Sequence, residues 1–175
     1  MLHILAIAGS LRRGSYNRLL LRAAAGVSIY EELSSIPLFN EDLEASDPES
    51  VCRLREAVAS ADGLLISTPE YNWSIPGMLK NAIDWLSRPP AEVLIGKPVA
   101  IIGASAGRWG TRLAQAALRQ TLTATESLVM PAPAMFVRDA SEIFDEAGRL
   151  TNKTVRDQLD GVLATFDRWI SLVRR

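Results

Sequence analysis

The stretch from residue 68 to residue 77 offers more chemistry than any other connection in the chain. It places two aromatic rings, a carboxylate, a carboxamide and two prolines between an apolar run, residues 63–66, and a helix-like run, residues 78–86. The side chains best suited to contact a ligand are Glu70, Tyr71, Asn72 and Trp73. Loops in small α/β domains are usually short, and ligands bind at the carboxyl edge of a parallel sheet. The stretch therefore predicts the floor of a site for a flat molecule with polar edges.

A second loop, residues 9–17, has the composition of an anion site. It combines glycines and hydroxyls with Arg12 and Arg13, directly before a predicted helix whose first N–H groups attract negative charge. The alternative is an ordinary glycine–serine turn with a serine cap. A Walker loop is excluded because Ser15 stands where lysine is required, and the dinucleotide fingerprint is missing because Leu11 replaces its second glycine. A terminal monophosphate, as in the mononucleotide FMN, suits this loop better.

A third loop, residues 103–110, is also glycine-rich and precedes a predicted helix. Its backbone N–H groups are suited to the carbonyl oxygens of a flat heterocycle, and Ser105 adds a hydroxyl. A plain strand-to-helix turn explains this loop equally well when it is taken alone. Together with the planar surfaces of Tyr71 and Trp73, it favours FMN.

These loops must be positioned by the strands and helices that flank them. Apolar runs alternate with amphipathic ones, which is typical of a parallel sheet covered by helices on both faces. The predicted strands are residues 2–8, 27–33, 62–67, 97–103 and 127–130. The predicted helices are residues 16–25, 51–61, 76–86 and 110–123, followed by a final helix capped by Thr151. The second helix is expected to be capped by Asp47 or Ser50, and the third by Ser74. We expect one α/β domain over residues 1–175.

Composition narrows the class of protein. The chain has 175 residues, 48% of them hydrophobic and 22% charged, and a formal net charge of −1. This charge offers no attraction for nucleic acid or an anionic membrane, and no apolar stretch approaches the roughly 20 residues that span a bilayer. Cys52 is the single cysteine of the sequence and is interpreted as a packing residue. The acidic residues between positions 41 and 49 are interpreted as a solvated loop and not as a metal site. We expect a cytoplasmic protein with neither a membrane nor a nucleic-acid partner.

Two motifs resemble the NAD(P)H-dependent FMN reductase family, which includes quinone, chromate and azo-dye reductases. The first is short: Gly9-Ser10-Leu11-Arg12-x-x-Ser15-x-Asn17. The second is long and specific: Thr68-Pro69-Glu70-Tyr71-Asn72-x-Ser74-x-Pro76-Gly77-x-Leu79-Lys80-Asn81-Ala82-Ile83-Asp84-Trp85-Leu86-Ser87-Arg88. The segment Phe144-Asp145-Glu146-x-Gly148-Arg149-Leu150 is also similar to the family, so the resemblance spans nearly the whole chain.

The resemblance implies a flavodoxin-like three-layer α/β/α fold with a five-stranded parallel sheet in the order 2-1-3-4-5. It implies bound FMN, with NADPH or NADH as co-substrate, and a homodimer or homotetramer. The phosphate loop would contain Ser10, Leu11, Arg12, Arg13, Gly14, Ser15, Tyr16 and Asn17. The flavin-ring loop would contain Pro69, Glu70, Tyr71, Asn72 and Trp73, and the third loop would contribute Ser105 and Gly107.

The chain departs from the family at three places. Leu113 stands where the family usually has an arginine, and Arg112 comes one position early, which leaves the role of that arginine open. Trp73 replaces a frequent tyrosine, and Met78 a frequent second glycine.

The expected activity is a ping-pong cycle in which hydride passes from NAD(P)H to the flavin N5 and then to a quinone, flavin, azo or metal-oxyanion acceptor. This scheme requires no general acid or base, so we interpret His3 as a packed or terminal residue and Glu70 as structural, bonding loop N–H groups. We also expect helix-terminus N–H groups of the third loop, residues 103–110, to stabilise charge near the flavin N1. The alternatives are a flavodoxin-type electron carrier without nicotinamide activity, which the near-zero charge disfavours, and a nucleotide-binding protein without redox chemistry.

Overall fold

The computed structural model of the protein describes residues 2–89 and 91–174. Strands and helices alternate along the chain, as the pattern of apolar runs predicts. The strands are β1 (Ile4–Ala8), β2 (Val27–Ile29), β3 (Gly63–Ser67), β4 (Pro98–Ala104), β5 (Leu128–Val129) and β6 (Met135–Val137). The helices are α1 (Tyr16–Ala23), α2 (Glu49–Ser60), α3 (Gly77–Leu86), α4 (Arg112–Ala124) and α5 (Lys153–Val173).

The strands form one parallel sheet in the order β2-β1-β3-β4-β5, which confirms the predicted topology. A sixth strand was not predicted: β5 pairs with the first residues of β4, and β6 pairs with its last three. Pro131 and Pro133 lie between β5 and β6. Since proline cannot donate a ladder hydrogen bond, the edge strand is divided into two short pieces.

Alternate residues of the strands face two separate helical layers. On one face, Leu64, Ile66 and other strand residues pack against α2, α3 and α4, whereas on the other Leu65 belongs to a cluster with residues of α1 and α5. All residues of β1, β3 and β4 are buried. Burial of each large aliphatic side chain stabilises the fold by about 1.5–3 kcal/mol. The three-layer α/β/α prediction is thus confirmed, and both layers hold the loops at the carboxyl edge of the sheet.

Some predicted element ends were wrong. Strand β2 stops at Ile29, because Leu33–Ser35 form a 3₁₀ helix whose Leu33 is buried. Helix α2 begins at Glu49 with Pro48 at the cap position and no side-chain cap. Instead of capping α2, Asp47 forms an ion pair with Arg55 at 3.0 Å.

The last helix is capped one residue later than predicted. The Asn152 side chain accepts the Val155 N–H at 3.1 Å and so caps α5. The hydroxyl of Thr151 donates instead to the Ile143 carbonyl, also at 3.1 Å. Both residue types favour helix caps, so the sequence did not distinguish between them.

Within residues 2–89 and 91–174, no helix combines the length and the apolar character that a membrane crossing requires.

Candidate active site

The three loops singled out by their composition meet in one cavity of about 240 Å³ at the carboxyl edge of the sheet. Nine of the predicted site residues line it: Ser10, Arg12, Ser15, Tyr16, Asn17, Pro69, Glu70, Tyr71 and Ser105. The other predicted residues lie outside the lining: Leu11, Arg13, Gly14, Asn72, Trp73 and Gly107. Ala104 and Ala106 also line the cavity and were not predicted individually, because small apolar side chains give no chemical signal.

The first loop presents the open amino terminus of α1 to the cavity. Ser15 caps this helix, its hydroxyl oxygen accepting the Arg18 N–H at 3.4 Å. The N–H groups of Tyr16 and Asn17 have no acceptor among the described residues. Unpaired N–H groups at a helix start, beside serine hydroxyls, form a site for an anion such as a phosphate.

A stack of side chains fixes the arginine of this loop. The Arg12 guanidinium lies 5.2 Å from the centre of the Tyr16 ring and donates to the Gly14 carbonyl at 2.8 Å. The Tyr16 ring stacks on Phe144, with 6.1 Å between ring centres. Phe144 therefore supports the phosphate loop from the segment before α5.

Phe144 begins a small hairpin that holds this stack. Phe144 and Leu150 form an antiparallel bridge. Within the hairpin the Asp145 carboxylate accepts both the N–H and the Nε–H of Arg149, each at 2.8 Å. These bonds stabilise the charged carboxylate and lower the pKa of Asp145, the backbone bond contributing most.

Asn17 joins the first loop to two strands. Its Oδ1 accepts the Ser67 hydroxyl and the Ala104 N–H, each at 2.9 Å, and its Nδ2 donates to the Ala104 carbonyl at 2.9 Å. The side chain is buried, so these bonds replace those it would make to water. The side chain of Asn17, which was predicted to bind the ligand, is thus engaged by the protein itself. Asn17 would contact a phosphate through its backbone N–H.

The middle loop turns back through a two-residue hairpin. The backbone groups of Tyr71 and Ser74 exchange two hydrogen bonds of 3.0 Å, and the intervening Asn72 and Trp73 have φ of 49° and 64°. Positive φ at both central residues defines a type I′ turn. The backbone groups of Ser74 belong to this turn, and Ser74 does not cap α3. Helix α3 begins after Pro76 without a side-chain cap. The turn directs Tyr71 into the cavity wall, where its hydroxyl lies 3.3 Å from the Ser10 hydroxyl.

Glu70 ties the middle loop to α4. One carboxylate oxygen, Oε2, accepts the N–H groups of Leu113 and Ala114 at 2.9 and 3.0 Å. The cap residue of this helix, Thr111, makes no cap bond of its own, so Glu70 caps α4 from a distant part of the chain. Glu70 is structural as predicted, although the N–H groups belong to α4 and not to its own loop. Leu113 and Ala114 lie beyond the third loop, so the expectation that N–H groups of that loop stabilise charge near the flavin N1 stays a prediction.

The third loop is fixed by the edge strand. Ser105 donates its N–H to Val137 and accepts the Ala140 N–H through its carbonyl, at 3.0 and 3.1 Å. Its hydroxyl oxygen accepts the Gly107 N–H at 3.0 Å. Gly103 is required at the end of β4, because a Cβ there would lie 2.6 Å from the Thr68 carbonyl oxygen. These contacts leave the N–H groups of Ala106, Arg108 and Trp109 without an acceptor among the described residues.

Arg112 takes no part in the cavity. Its guanidinium lies 4.8 Å from the centre of the Phe136 ring, on the side of β6. Glu70 is the single carboxylate that lines the cavity within the described chain, and its Oε2 is engaged with α4. The site therefore offers N–H groups and hydroxyls to an anion and an aromatic ring to a planar molecule.

A flavodoxin-like sheet with a phosphate-binding loop after β1 and an aromatic loop after β3 defines the class of flavin-binding α/β proteins. The family model for NADPH-dependent FMN reductase matches residues 2–142, and the chain belongs to this family.

Known relatives match the chain over nearly its full length. An NAD(P)H-dependent FMN reductase of Pseudomonas aeruginosa is 46% identical, and the match covers 98% of this chain and 96% of the relative. A quinone reductase of Escherichia coli is 37% identical, with 99% and 97% covered. Among solved structures, the flavoenzyme NAD(P)H:acceptor oxidoreductase FerB of Paracoccus denitrificans superposes with a TM-score of 0.89 at 36% identity, covering 98% of both chains.

Proposed function

We propose that the protein is an FMN-dependent oxidoreductase that takes hydride from NAD(P)H and reduces quinones and related small acceptors. The observation that carries this proposal is the convergence of an anion site, an aromatic wall and the free N–H group of Ala106 on one cavity. Membership of the FMN reductase family supports it, as does the similarity to relatives named quinone reductases.

The donor set of the cavity fits FMN. The N–H groups of Tyr16 and Asn17 and the hydroxyl of Ser10 suit the terminal phosphate. The Tyr71 ring suits the flavin plane, and the free N–H groups of the third loop suit the carbonyl oxygens at the edge of the isoalloxazine ring. Glu70 is the one carboxylate lining the cavity within the described residues, and its Oε2 accepts two N–H groups of α4, which offsets its repulsion of a phosphate.

The protein's part in the reaction is to hold two planar reactants against each other. FMN held by the phosphate and flavin-ring loops would supply the hydride chemistry: hydride from NAD(P)H would pass through it to the quinone, which takes one further proton from water to form the hydroquinone. The hydrogen-bonded turn in the loop after β3 keeps Tyr71 in place. The hydrogen bonds of Asn17 keep the phosphate loop at a fixed distance from Tyr71. Such positioning is worth up to roughly 7–11 kcal/mol of a reaction barrier.

An electron carrier of the flavodoxin type is the second candidate, because it shares the fold and the cofactor. Its partners are proteins, and carriers are expected to be strongly acidic, whereas this chain has a net charge of −1. The experiment that separates the two is an assay of purified, FMN-loaded protein with NADPH or NADH and a quinone, without any partner protein. Rapid partner-free turnover supports the enzyme, and its absence supports the carrier.

We propose a ping-pong order, since both reactants need the same open side of the cavity. Steady-state rates measured over a grid of NAD(P)H and quinone concentrations should give parallel double-reciprocal lines. Intersecting lines would show that both reactants bind together and would reject this order.

We further propose a cytoplasmic homodimer or homotetramer. The exposed side chains of Trp109 and Leu113 support an oligomer. Sedimentation equilibrium tests this proposal, and a monomer at micromolar concentration would refute it. An acceptor panel of quinones, free flavin, azo compounds and metal oxyanions, run with each nicotinamide, would define the preferences.

A further inference from the structure

Trp73 has a conformation that its residue type disfavours. Four non-glycine residues of the described chain have positive φ: Asn72, Trp73, Glu126 and Asp139. Three of these are polar, and Asn and Asp are enriched in this region because their short side chains bond locally. Trp73 is the bulky exception, at φ 64°.

Another residue type would fit the backbone conformation of this turn better than tryptophan does. Trp73 occupies the second central position of a type I′ turn, where glycine after asparagine is the preferred pair. Asn72 already supplies the first half of that pair. Tryptophan at the second position therefore stores strain that glycine would release.

Packing contacts of the Trp73 side chain do not offset this strain. The Trp73 side chain is 78% exposed, and its indole N–H has no acceptor among residues 2–89 and 91–174. It also lies outside the lining of the cavity, although Tyr71, two residues earlier, forms part of the wall. The ring is thus exposed two residues after a residue of the cavity wall, and stabilising the fold gives no reason for it.

We infer that Trp73 is a specificity residue that stacks on the planar ring of the quinone and does not hold FMN. The two hydrogen bonds between Tyr71 and Ser74 fix the backbone that carries the indole before the reactant arrives. A rigid aromatic surface binds a flat ring at little entropic cost. This inference rests on the proposed function, and it separates Trp73 from the residues that bind the cofactor.

The test compares Trp73→Gly, Trp73→Phe and, as a matched control, Leu172→Ala. Leu172 is also an exposed apolar residue, 59% accessible, but it lies in α5 away from the cavity. Each variant is assayed for FMN affinity by titration of the apoprotein, for KM with 1,4-benzoquinone and with ferricyanide, for thermal unfolding and for sedimentation.

Trp73→Gly should raise the quinone KM by about two- to tenfold, which is the range expected for loss of an aromatic stack. The ferricyanide KM should change much less, because this acceptor has no ring to stack. The apoprotein should melt about 2–4 °C higher as the turn relaxes. FMN affinity and oligomeric state should match the control, and Trp73→Phe should recover most of the quinone KM.

Four results would overturn the inference: an unchanged quinone KM, an equal rise in the ferricyanide KM, a parallel loss of FMN affinity, or dissociation of an oligomer. Wild-type protein without NAD(P)H:quinone activity would instead reject the proposed function, and the inference with it.

Discussion

The capping of α4 by Glu70 makes a quantitative prediction for Glu70→Ala. The carboxylate accepts the N–H groups of Leu113 and Ala114, at 2.9 and 3.0 Å, across 43 and 44 residues of sequence. Removal leaves both groups without a protein acceptor, because Thr111 at the cap position makes no cap bond. The helix start and the flavin-ring loop would then lose their connection.

The magnitude follows from helix capping. Replacing a capping side chain by alanine costs about 0.5–2 kcal/mol, and a charge at a helix start adds about 0.3–1 kcal/mol. Since water reaches the partly exposed Glu70 site, we expect Glu70→Ala to lower the free energy of unfolding by about 1–2 kcal/mol. Glu70→Gln keeps a carbonyl acceptor but loses the charge, so it should lose about half as much.

Urea unfolding of the apoprotein measures this loss directly. The slope m should be unchanged, so that the shift in midpoint reports stability alone. Glu56→Ala is the matched control, because Glu56 is exposed on α2 and makes no hydrogen bond or ion pair with the described residues. The control should stay within about 0.5 kcal/mol of wild type. If Glu70→Ala is no less stable than Glu56→Ala, Glu70 does not cap α4.

Three further predictions concern the phosphate loop and its support. Ser15→Ala should lower the free energy of unfolding by about 1 kcal/mol through loss of the α1 cap, and calorimetry should show a larger loss of affinity for FMN than for riboflavin. Phe144→Ala removes the ring under Tyr16, so FMN affinity should fall about two- to tenfold while riboflavin affinity, which involves no phosphate, stays within about twofold; equal losses for both ligands would refute the support role. The lowered pKa of Asp145 makes its stabilisation complete above the ordinary value of 3.8 and lost as pH falls through the folded value. Urea unfolding from about pH 5 to about pH 2 should therefore show a shallower loss of stability in Asp145→Asn than in wild type, and identical curves would contradict this.

The parallel strands and the positions of the three loops could be predicted from local patterns, whereas the order of the strands was predicted only from the family resemblance. Apolar runs of strand length and glycine-rich connections mark the carboxyl edge of a parallel sheet without knowledge of tertiary contacts. The split of the edge strand into β5 and β6 was missed, since a three-residue strand around Phe136 carries too little periodicity.

The individual roles of the site residues were harder to predict, because they depend on partners distant in sequence. Asn17 bonds to Ala104, 87 residues away, and Glu70 reaches α4. In both cases the residue type suits a ligand and a structural bond equally well. Phe144 was noted only as part of a family motif, since stacking on Tyr16 requires the two segments to meet in space.

The central claim is that the cavity holds FMN that reacts with NAD(P)H and then with a quinone. Its most direct test is an anaerobic titration of the purified, FMN-loaded protein, followed by its visible flavin absorbance. We expect complete bleaching by one equivalent of NADPH or NADH, and full recovery of the colour on addition of one equivalent of 1,4-benzoquinone without any partner protein. Protein that binds no flavin, or a flavin that stays oxidised in the presence of excess NADPH and NADH, would contradict it.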